Sequence, residues 1–316
     1  MTTPISFVPA VVVCLILLGI TQSFALATKN PNKKVVSSSS TSLLSELQNW
    51  IDAVKPIVED GDEDDCTRLQ DFSHVLWNIH KNPNVPTHQL YLTSRHQQCS
   101  APFPFLQPAQ PLHDPDNFKD WVLPLEASWK TVQQELESYL QTLQQEKESP
   151  WKTSTTNLCQ DTTGFEKLCL QNEDGQPTLV GQAYFPKTLA LLHSTVGPQL
   201  APRPIHINCQ APNSGLAPHS DNMNFLLACH LGLLIPKRGD CIFHLEPNVE
   251  YKWKKGKVVI ADTSFVHSTQ NLSPDESRYI LSFCIWHPDL SAKEREGIVA
   301  LHSIVQQFAS DKNDTG

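Results

Sequence analysis

Two histidines and one aspartate in the second half of the chain have the residue types and spacing of a metal site. His219 and Asp221 form an H-x-D triplet, and His267 lies 46 residues after the aspartate. Two imidazoles and one carboxylate can occupy one face of an octahedral Fe(II) ion and leave three positions open. Side chains two residues apart share a face of an extended strand, so alternation would bring His219 and Asp221 together. A chain with 13 histidines contains H-x-D triplets by chance, so the surrounding residues decide whether this triplet indicates a metal site.

An arginine downstream of these residues has the chemistry of a carboxylate receptor. Arg278 begins an apolar, strand-like run eleven residues after His267. A buried guanidinium binds a carboxylate through two parallel hydrogen bonds, which a lysine cannot reproduce. The sequence therefore predicts an anion-binding residue on the strand that follows the last metal ligand.

Short apolar segments predict the strands that must position these side chains. From about residue 179 the pattern changes to short strands, and the clearest are residues 225–235, 241–245, 249–253, 257–262 and 278–286. Strands at this spacing, separated by turns with glycine, proline and asparagine, are typical of an antiparallel sandwich or barrel. Helix-period apolar residues predict helices over residues 43–58 and 125–147, and Ser291 with Glu294 predicts a capping box before a final helix. The acidic run 59–65 is interpreted as a solvated loop, and residues 78–118 as an extended connection.

The composition favours a folded acidic protein. The 316 residues include 24 Lys and Arg against 33 Asp and Glu, which gives a formal net charge of −9. A protein that neutralises nucleic-acid phosphates needs a basic surface, so we expect no nucleic-acid partner. With 40% hydrophobic residues, the chain is long enough to bury a sizeable core.

The first 27 residues predict entry into the secretory pathway. Residues 1–28 carry no charged side chain, residues 11–20 are mostly apolar, and Ala25-Leu26-Ala27 offers a cleavage site. Such a short apolar stretch fits a signal peptide better than a membrane span of ~20 residues. We expect a destination in the endoplasmic reticulum lumen or outside the cell, with an uncleaved membrane anchor as the alternative. The Ser- and Lys-rich residues that follow are interpreted as a linker, although they also suit the second half of a bipartite organelle-import signal.

The sequence around the metal ligands resembles the aspartyl/asparaginyl β-hydroxylase family of Fe(II)- and 2-oxoglutarate-dependent dioxygenases. Ordered blocks carry the resemblance: Ala217-Pro218-His219, Asn224, residues 230–236, 253–257 and 262–267, Arg278, and residues 286–290. Weaker matches at residues 125–129, Trp151 and residues 185–188 extend it upstream. We therefore divide the chain into a signal peptide or anchor (1–27), a linker (28–42), an N-terminal helical and loop region (43–102), a hydroxylase-like jelly-roll domain (103–292), and a C-terminal helix and tail (293–316).

The resemblance implies a fold, cofactors and residue roles. The family fold is a mainly-β double-stranded β-helix, which is a jelly-roll barrel with flanking helices. His219 and His267 would hold Fe(II), Arg278 would bind the distal carboxylate of 2-oxoglutarate, and His230 and Asn208 would contact this cosubstrate. The implied reaction uses O2 and 2-oxoglutarate to hydroxylate an unactivated carbon. The most direct substrate is the β-carbon of an Asp or Asn residue in a protein, and a small molecule is the alternative.

Two positions depart from the best-known animal hydroxylases of this family. Those enzymes have glycine where this chain has Asp221, so here we predict a complete set of two histidines and one carboxylate. The alternative is that Asp221 orients a water on the metal. They also have an arginine at the position of Ala228, so this pocket is less basic. Two other interpretations therefore stay open: a metal-binding jelly roll that has lost turnover, and an interaction protein built on the same fold.

Overall fold

The structure is a computed structural model that describes residues 38–59, 63–81, 91–143, 151–153 and 163–310. The chain divides into two units, Met1–Asp52 and Ala53–Gly316. In the first unit, the described residues are the beginning of helix α1 (Ser38–Val58). The expected signal sequence and most of the expected linker lie outside the described residues. Among the helices in the described ranges, none is both long and apolar enough to cross a membrane.

The second unit combines helices with an antiparallel sheet. Its helices are α2 (Glu63–Lys81), α3 (Lys119–Ala127), α4 (Trp129–Leu143), α5 (Leu179–Tyr184), α6 (Pro186–Thr195) and α7 (Ala292–Ser310). Its strands are β1 (Leu112–His113), β2 (Lys152–Thr153), β3 (Thr163–Gln171), β4 (Ile205–His219), β5 (Leu226–Leu234), β6 (Cys241–Leu245), β7 (Val249–Lys252), β8 (Val258–Ala261), β9 (His267–Asn271) and β10 (Arg278–Trp286).

Strand β4 joins two halves of the barrel. The strands pair in the order β1-β8-β5-β10-β4-β9-β6-β7, while β3 pairs with the other edge of β4 and β2 pairs with β3. The 15-residue β4 pairs with β10 over its first half and with β9 over its second half. One long strand shared by two sheets lets them lie face to face around a common interior. This antiparallel jelly-roll barrel with flanking helices confirms the predicted fold class.

Alternation along β5 and β10 separates two apolar layers. One side of these strands packs on α3, α4 and α6 through residues that include Leu227, Leu231, Leu281, Phe283 and Ile285. The other side faces the barrel interior, where a smaller cluster contains Cys241, Phe243, Leu245, Trp253, Val259, Ala261 and Ile280. Successive side chains point to opposite faces, so Ala228, His230 and Arg278 belong to this inner face.

The structure corrects several expected element boundaries. Helix α2 begins at Glu63, inside the acidic run that was interpreted as a loop, and it ends within the expected extended connection. For residues 63–65 that interpretation was wrong, because acidic residues are favourable at a helix N-terminus and the buried residues Leu69, Phe72, Val75 and Leu76 follow at helical spacing. Residues 60–62 of the run lie outside the described residues. The single helix expected over residues 125–147 is two helices, which meet at Ser128. Helices α5 and α6 occupy residues 179–195, where short strands were expected.

The capping box at the last helix is confirmed. The Ser291 backbone N–H donates to Glu294 Oε2 at 2.9 Å, and the Glu294 N–H donates to Ser291 Oγ at 3.1 Å. Both bonds satisfy backbone donors that the first turn of a helix leaves without a partner.

Candidate functional site

The structure brings the three predicted metal ligands together. His219, the last residue of β4, pairs directly with His267, the first residue of β9, and their ring centroids are 4.3 Å apart. The candidate ligand atoms of these histidines and of Asp221 all lie within 4.8 Å of one another. Asp221 does not continue the strand, as simple alternation assumed, but lies just beyond it, before a turn in which Asn222 has φ +62°. The three side chains converge and could share one metal ion.

Backbone hydrogen bonds orient both imidazole rings. Nδ1 of His219 lies 2.8 Å from the Ala217 carbonyl oxygen, and Nδ1 of His267 lies 2.9 Å from that of Phe265. Because a carbonyl can only accept, each Nδ1 carries the proton, and each Nε2 keeps a lone pair for a metal. Burial lowers the pKa of His267, the Asp221 charge opposes this shift, and His219 adds to it. A neutral His267 is the protonation state that metal binding requires.

Polar side chains without partners line the barrel interior. Arg278 is 1% exposed, and its Nε and Nη1 atoms have no hydrogen-bond partner among the described residues. Its guanidinium carbon lies 4.2 Å from the centre of the Trp253 ring, which stabilises the cation from one side. The buried atoms Asn208 Oδ1 and His230 Nδ1 also lack partners within the described ranges. Unpaired buried polar groups are unfavourable, and the nitrogen atoms of Arg278 and His230 can donate to the oxygen atoms of an anion, whereas Asn208 Oδ1 can only accept a hydrogen bond.

The strand register explains why these groups share one pocket. On β10, Ile280 pairs with Asn208 of β4, and Ser282 pairs with His230 of β5. Burial lowers the pKa of Arg278 to about 10, so it stays protonated at neutral pH. Burial, followed by the Arg278 charge, lowers the pKa of His230 to about 3, so its ring is neutral. The pocket therefore offers a cation beside neutral hydrogen-bonding groups, which suits a carboxylate.

Two aromatic rings connect the metal ligands to this pocket. Phe243 stacks on Trp253 with a centroid distance of 5.2 Å and an interplanar angle of 11°. It also meets the His267 ring edge-on at 5.6 Å. The block containing Trp253 was part of the sequence resemblance, but Phe243 was not identified as a site residue. Its place on the inner face follows from alternation along β6, a signal that the sequence contained.

A groove of about 290 Å³ opens beside His267, one of the three candidate metal ligands. It is lined by His267 and by residues of the β6–β7 hairpin, among them Glu246 and Glu250. These two carboxylates lie near histidines: Glu250 is 3.0 Å from His244, and Glu246 is 4.0 Å from His96.

Comparison with known proteins identifies the same family as the sequence resemblance. The family described as aspartyl/asparaginyl beta-hydroxylase matches residues 126–288, which is more than half of the chain. The aspartyl/asparaginyl beta-hydroxylase of Mus musculus is 36% identical over 121 residues, which are 37% of this chain and 15% of that protein. The aspartate beta-hydroxylase domain-containing protein 2 of Rattus norvegicus is 28% identical over 94 residues, 29% of this chain and 26% of that protein.

Among solved structures, a Pseudomonas putida prolyl-4-hydroxylase aligns with a TM-score of 0.32 and 14% identity, over 50% of this chain and 86% of that one. An alignment at this low TM-score does not establish the fold, which is assigned from the strand pairing described above. The chain spans about a quarter or less of the length of these curated relatives, whose other segments have no counterpart in the alignments. The matched residues 126–288 contain the three candidate metal ligands and Arg278, and by this match the chain belongs to the aspartyl/asparaginyl β-hydroxylase family.

Proposed function

We propose that this protein is an Fe(II)- and 2-oxoglutarate-dependent dioxygenase that hydroxylates an unactivated carbon. The observation that carries the proposal is the buried guanidinium of Arg278, whose Nε and Nη1 have no hydrogen-bond partner among the described residues, inside the barrel that also holds the three candidate metal ligands. A metal site alone fits many functions, but a metal site beside a receptor for a dicarboxylate fits this reaction class. In the proposal, the metal ligands are His219, Asp221 and His267, and the 2-oxoglutarate contacts are Arg278, His230 and Asn208.

When bound, Fe(II) with 2-oxoglutarate and O2 supplies the oxidising chemistry that inserts an oxygen atom into a C–H bond. The protein positions the reactants. The bonds from His219 and His267 to backbone carbonyls fix both rings with Nε2 available, and Arg278 fixes the far end of the dicarboxylate. Phe243 and Trp253 form an apolar wall between these two points, which excludes water from the reaction.

We further propose that the reacting side chain is an aspartate or asparagine of a protein, and that Lys167 pairs with the carboxylate when this residue is an aspartate. Lys167 on β3 pairs with Asn208 on β4, which places both residues on the inner face. It is half-buried, and no carboxylate of the described residues lies within 4.0 Å of its ammonium group. After burial, the Lys167 charge is the next cause that lowers the pKa of His206 to about 4. This lysine can supply the positive charge that is missing because Ala228 replaces an arginine.

The protein is expected to form succinate from 2-oxoglutarate when Fe(II), O2 and an Asp- or Asn-containing peptide are present. The peptide should gain the mass of one oxygen atom, which mass spectrometry detects, and omission of 2-oxoglutarate should remove both products. Binding of Fe(II) and 2-oxoglutarate without succinate formation on any peptide would instead support a jelly roll that has lost turnover. Absence of metal binding would support an interaction protein.

Replacing Lys167 is expected to affect acidic substrates selectively. In Lys167→Met, we expect the KM for an Asp peptide to rise about 10-fold, because a hydrogen bond to a charged group contributes ~1.5 kcal/mol or more. The KM for the matched Asn peptide should change less than about 2-fold. Lys252→Met is the control, since Lys252 pairs with Asp240 at 2.6 Å and both side chains are about half exposed. Equal effects on both peptides would contradict the assigned role of Lys167.

We also propose that residues 1–27 direct the chain into the secretory pathway. The support is the uncharged apolar segment followed by Ala25-Leu26-Ala27, all in sequence alone. Cleavage there would make Thr28 the first residue of the mature protein, which N-terminal sequencing can test. An intact Met1 on a membrane-bound protein would indicate an anchor, and a different cleaved N-terminus would favour the bipartite organelle signal.

A further inference from the structure

A short segment upstream of the family-matching residues crosses both loops that carry the metal ligands. We call residues 97–99 the strap. Gln97 forms an antiparallel bridge with Phe265, and Cys99 forms a parallel bridge with Asn222. Each of these two partners lies within two residues of a candidate metal ligand. The strap therefore contacts the loop after β4 and the loop before β9 at the same time.

The Gln97 side chain attaches the strap to the loop before β9. Gln97 is 4% exposed, and its Nε2 donates to Asp262 Oδ2 at 3.0 Å and to Ser264 Oγ at 3.1 Å. Its Oε1 accepts from the Ser94 backbone N–H at 3.2 Å. Asp262 is fully buried and also accepts from the Ser264 N–H at 2.9 Å. The amide of Gln97 thus donates both protons to one loop, which fixes the distance between the strap and that loop.

The strap backbone attaches to the loop after β4. Ser220 stands between the two ligands of the H-x-D triplet, is 6% exposed, and donates its hydroxyl to the Gln98 carbonyl oxygen. The Gln98 N–H in turn donates to the Ser264 carbonyl oxygen at 2.7 Å. The backbone of one strap residue, Gln98, therefore accepts a hydrogen bond from one ligand loop through its carbonyl and donates one to the other loop through its N–H. The two loops also meet directly, where the Asp221 N–H donates to the Thr263 carbonyl oxygen at 2.9 Å.

We propose that the strap sets the spacing of the two metal-ligating loops, and that Gln97 is a positioning residue for the metal centre. Gln97 acts through Asp262 and Ser264, which precede His267, and its side-chain hydrogen bonds within the described residues go to these two residues and to Ser94. The strap lies outside residues 126–288, so the metal centre of this protein includes a part that the family match does not cover. The inference rests on the proposed function in one respect, namely that His219, Asp221 and His267 bind a metal.

Gln97→Leu removes both donors and keeps a side chain of similar volume. Asp262 then retains its bond from the Ser264 N–H but loses its bond to the strap, so only backbone contacts, such as that from the Gln98 N–H to the Ser264 carbonyl oxygen, still join the strap to the loop before β9. Changes in groups that orient metal ligands typically lower metal affinity 10- to 100-fold. The 2-oxoglutarate contacts should keep their positions, because Arg278, His230 and Asn208 lie on the paired strands β10, β5 and β4.

The test is calorimetric titration of the full chain with Mn(II), which requires no turnover. We expect Gln97→Leu to bind Mn(II) roughly 10- to 100-fold more weakly than wild type. Gln98→Leu is the matched control, since this neighbouring side chain is exposed, and it should bind Mn(II) as wild type does. At saturating Mn(II), the affinity of Gln97→Leu for 2-oxoglutarate should stay within about 2-fold of wild type. Wild-type Mn(II) affinity in a folded Gln97→Leu protein would overturn the proposal, as would an equal loss in Gln98→Leu.

Two further variants keep the test decisive if Gln97→Leu does not fold. Gln97→Asn retains a shorter amide and should bind Mn(II) with intermediate affinity. Ser220→Ala removes the hydroxyl that holds the Gln98 carbonyl and should weaken Mn(II) binding in the same direction. Wild-type affinity in both variants would overturn the proposal. If wild type binds Mn(II) but never forms succinate, the proposed function fails while the role of the strap is still measured.

Discussion

The His267→Ala protein is expected to bind Fe(II) or Mn(II) at least about 100-fold more weakly than wild type and to form no detectable succinate. The reason is that His267 supplies one of three candidate ligand atoms within 4.8 Å of one another, and no other described His, Cys, Asp or Glu joins that group. Anaerobic titration with Fe(II) and then 2-oxoglutarate measures the loss, through the visible absorption band of the iron-bound cosubstrate. His193→Ala is the control, because His193 lies on α6 and is hydrogen-bonded to Gln171 at 2.7 Å.

Asp221→Gly in the same experiment separates the two roles considered for this carboxylate. If Asp221 is a ligand, the variant should lose metal affinity in the same direction as His267→Ala, and turnover should fall with it. If it orients a metal-bound water, metal affinity should stay within a few-fold of wild type while turnover falls. Wild-type metal binding and turnover in His267→Ala would refute the assigned metal centre altogether.

The strands near the site were predictable from sequence because their side chains are apolar on both faces or alternate cleanly. The runs at 225–235 and 278–286 each contain the observed strand, since one face packs on helices and the other on the barrel interior. Strand β4 was not predicted, although apolar Ile205, Ile207 and Cys209 in its first half alternate with the polar residues His206, Asn208 and Gln210. This alternation is short, and the second half of the strand, residues 211–219, contains proline, asparagine and glycine, which are rare in strands.

The metal ligands and Arg278 could be found from motif and spacing, whereas the strap could not. Gln97 reaches Asp262 across 165 residues of sequence, and a single glutamine in a polar segment has no local signature of burial. The prediction of an extended connection over residues 78–118 agrees with the absence of regular strands in residues 94–100. Its composition did not indicate that this segment contacts the two loops that carry the metal ligands. Contacts of this kind depend on the closed barrel, which brings the loops after β4 and before β9 together before the strap can bridge them.

Arg278→Met is expected to raise the KM for 2-oxoglutarate about 100- to 4,000-fold. Removing one partner of a buried ion pair typically costs ~3–5 kcal/mol, and each ~1.4 kcal/mol is tenfold in affinity. The KM of Arg278→Lys for 2-oxoglutarate should lie between those of Arg278→Met and wild type, because an ammonium keeps the charge but cannot form the two parallel hydrogen bonds of a guanidinium. Succinate formation against 2-oxoglutarate concentration measures both. Arg238→Met is the control, since Arg238 is exposed and pairs with Asp275 at the surface.

The same substitution should stabilise the protein when no cosubstrate is bound. Arg278 is 1% exposed and two of its nitrogen atoms lack hydrogen-bond partners among the described residues, so without an anion its charge is unfavourable. Replacing such a group by an apolar one of similar size often increases stability by ~1–4 kcal/mol. Thermal unfolding should therefore show a higher Tm for Arg278→Met than for wild type without ligand. Added 2-oxoglutarate, with Mn(II) present, should raise the wild-type Tm and leave that of the variant almost unchanged. A lower Tm without ligand, together with an unchanged KM, would mean that Arg278 stabilises the fold and does not bind the cosubstrate.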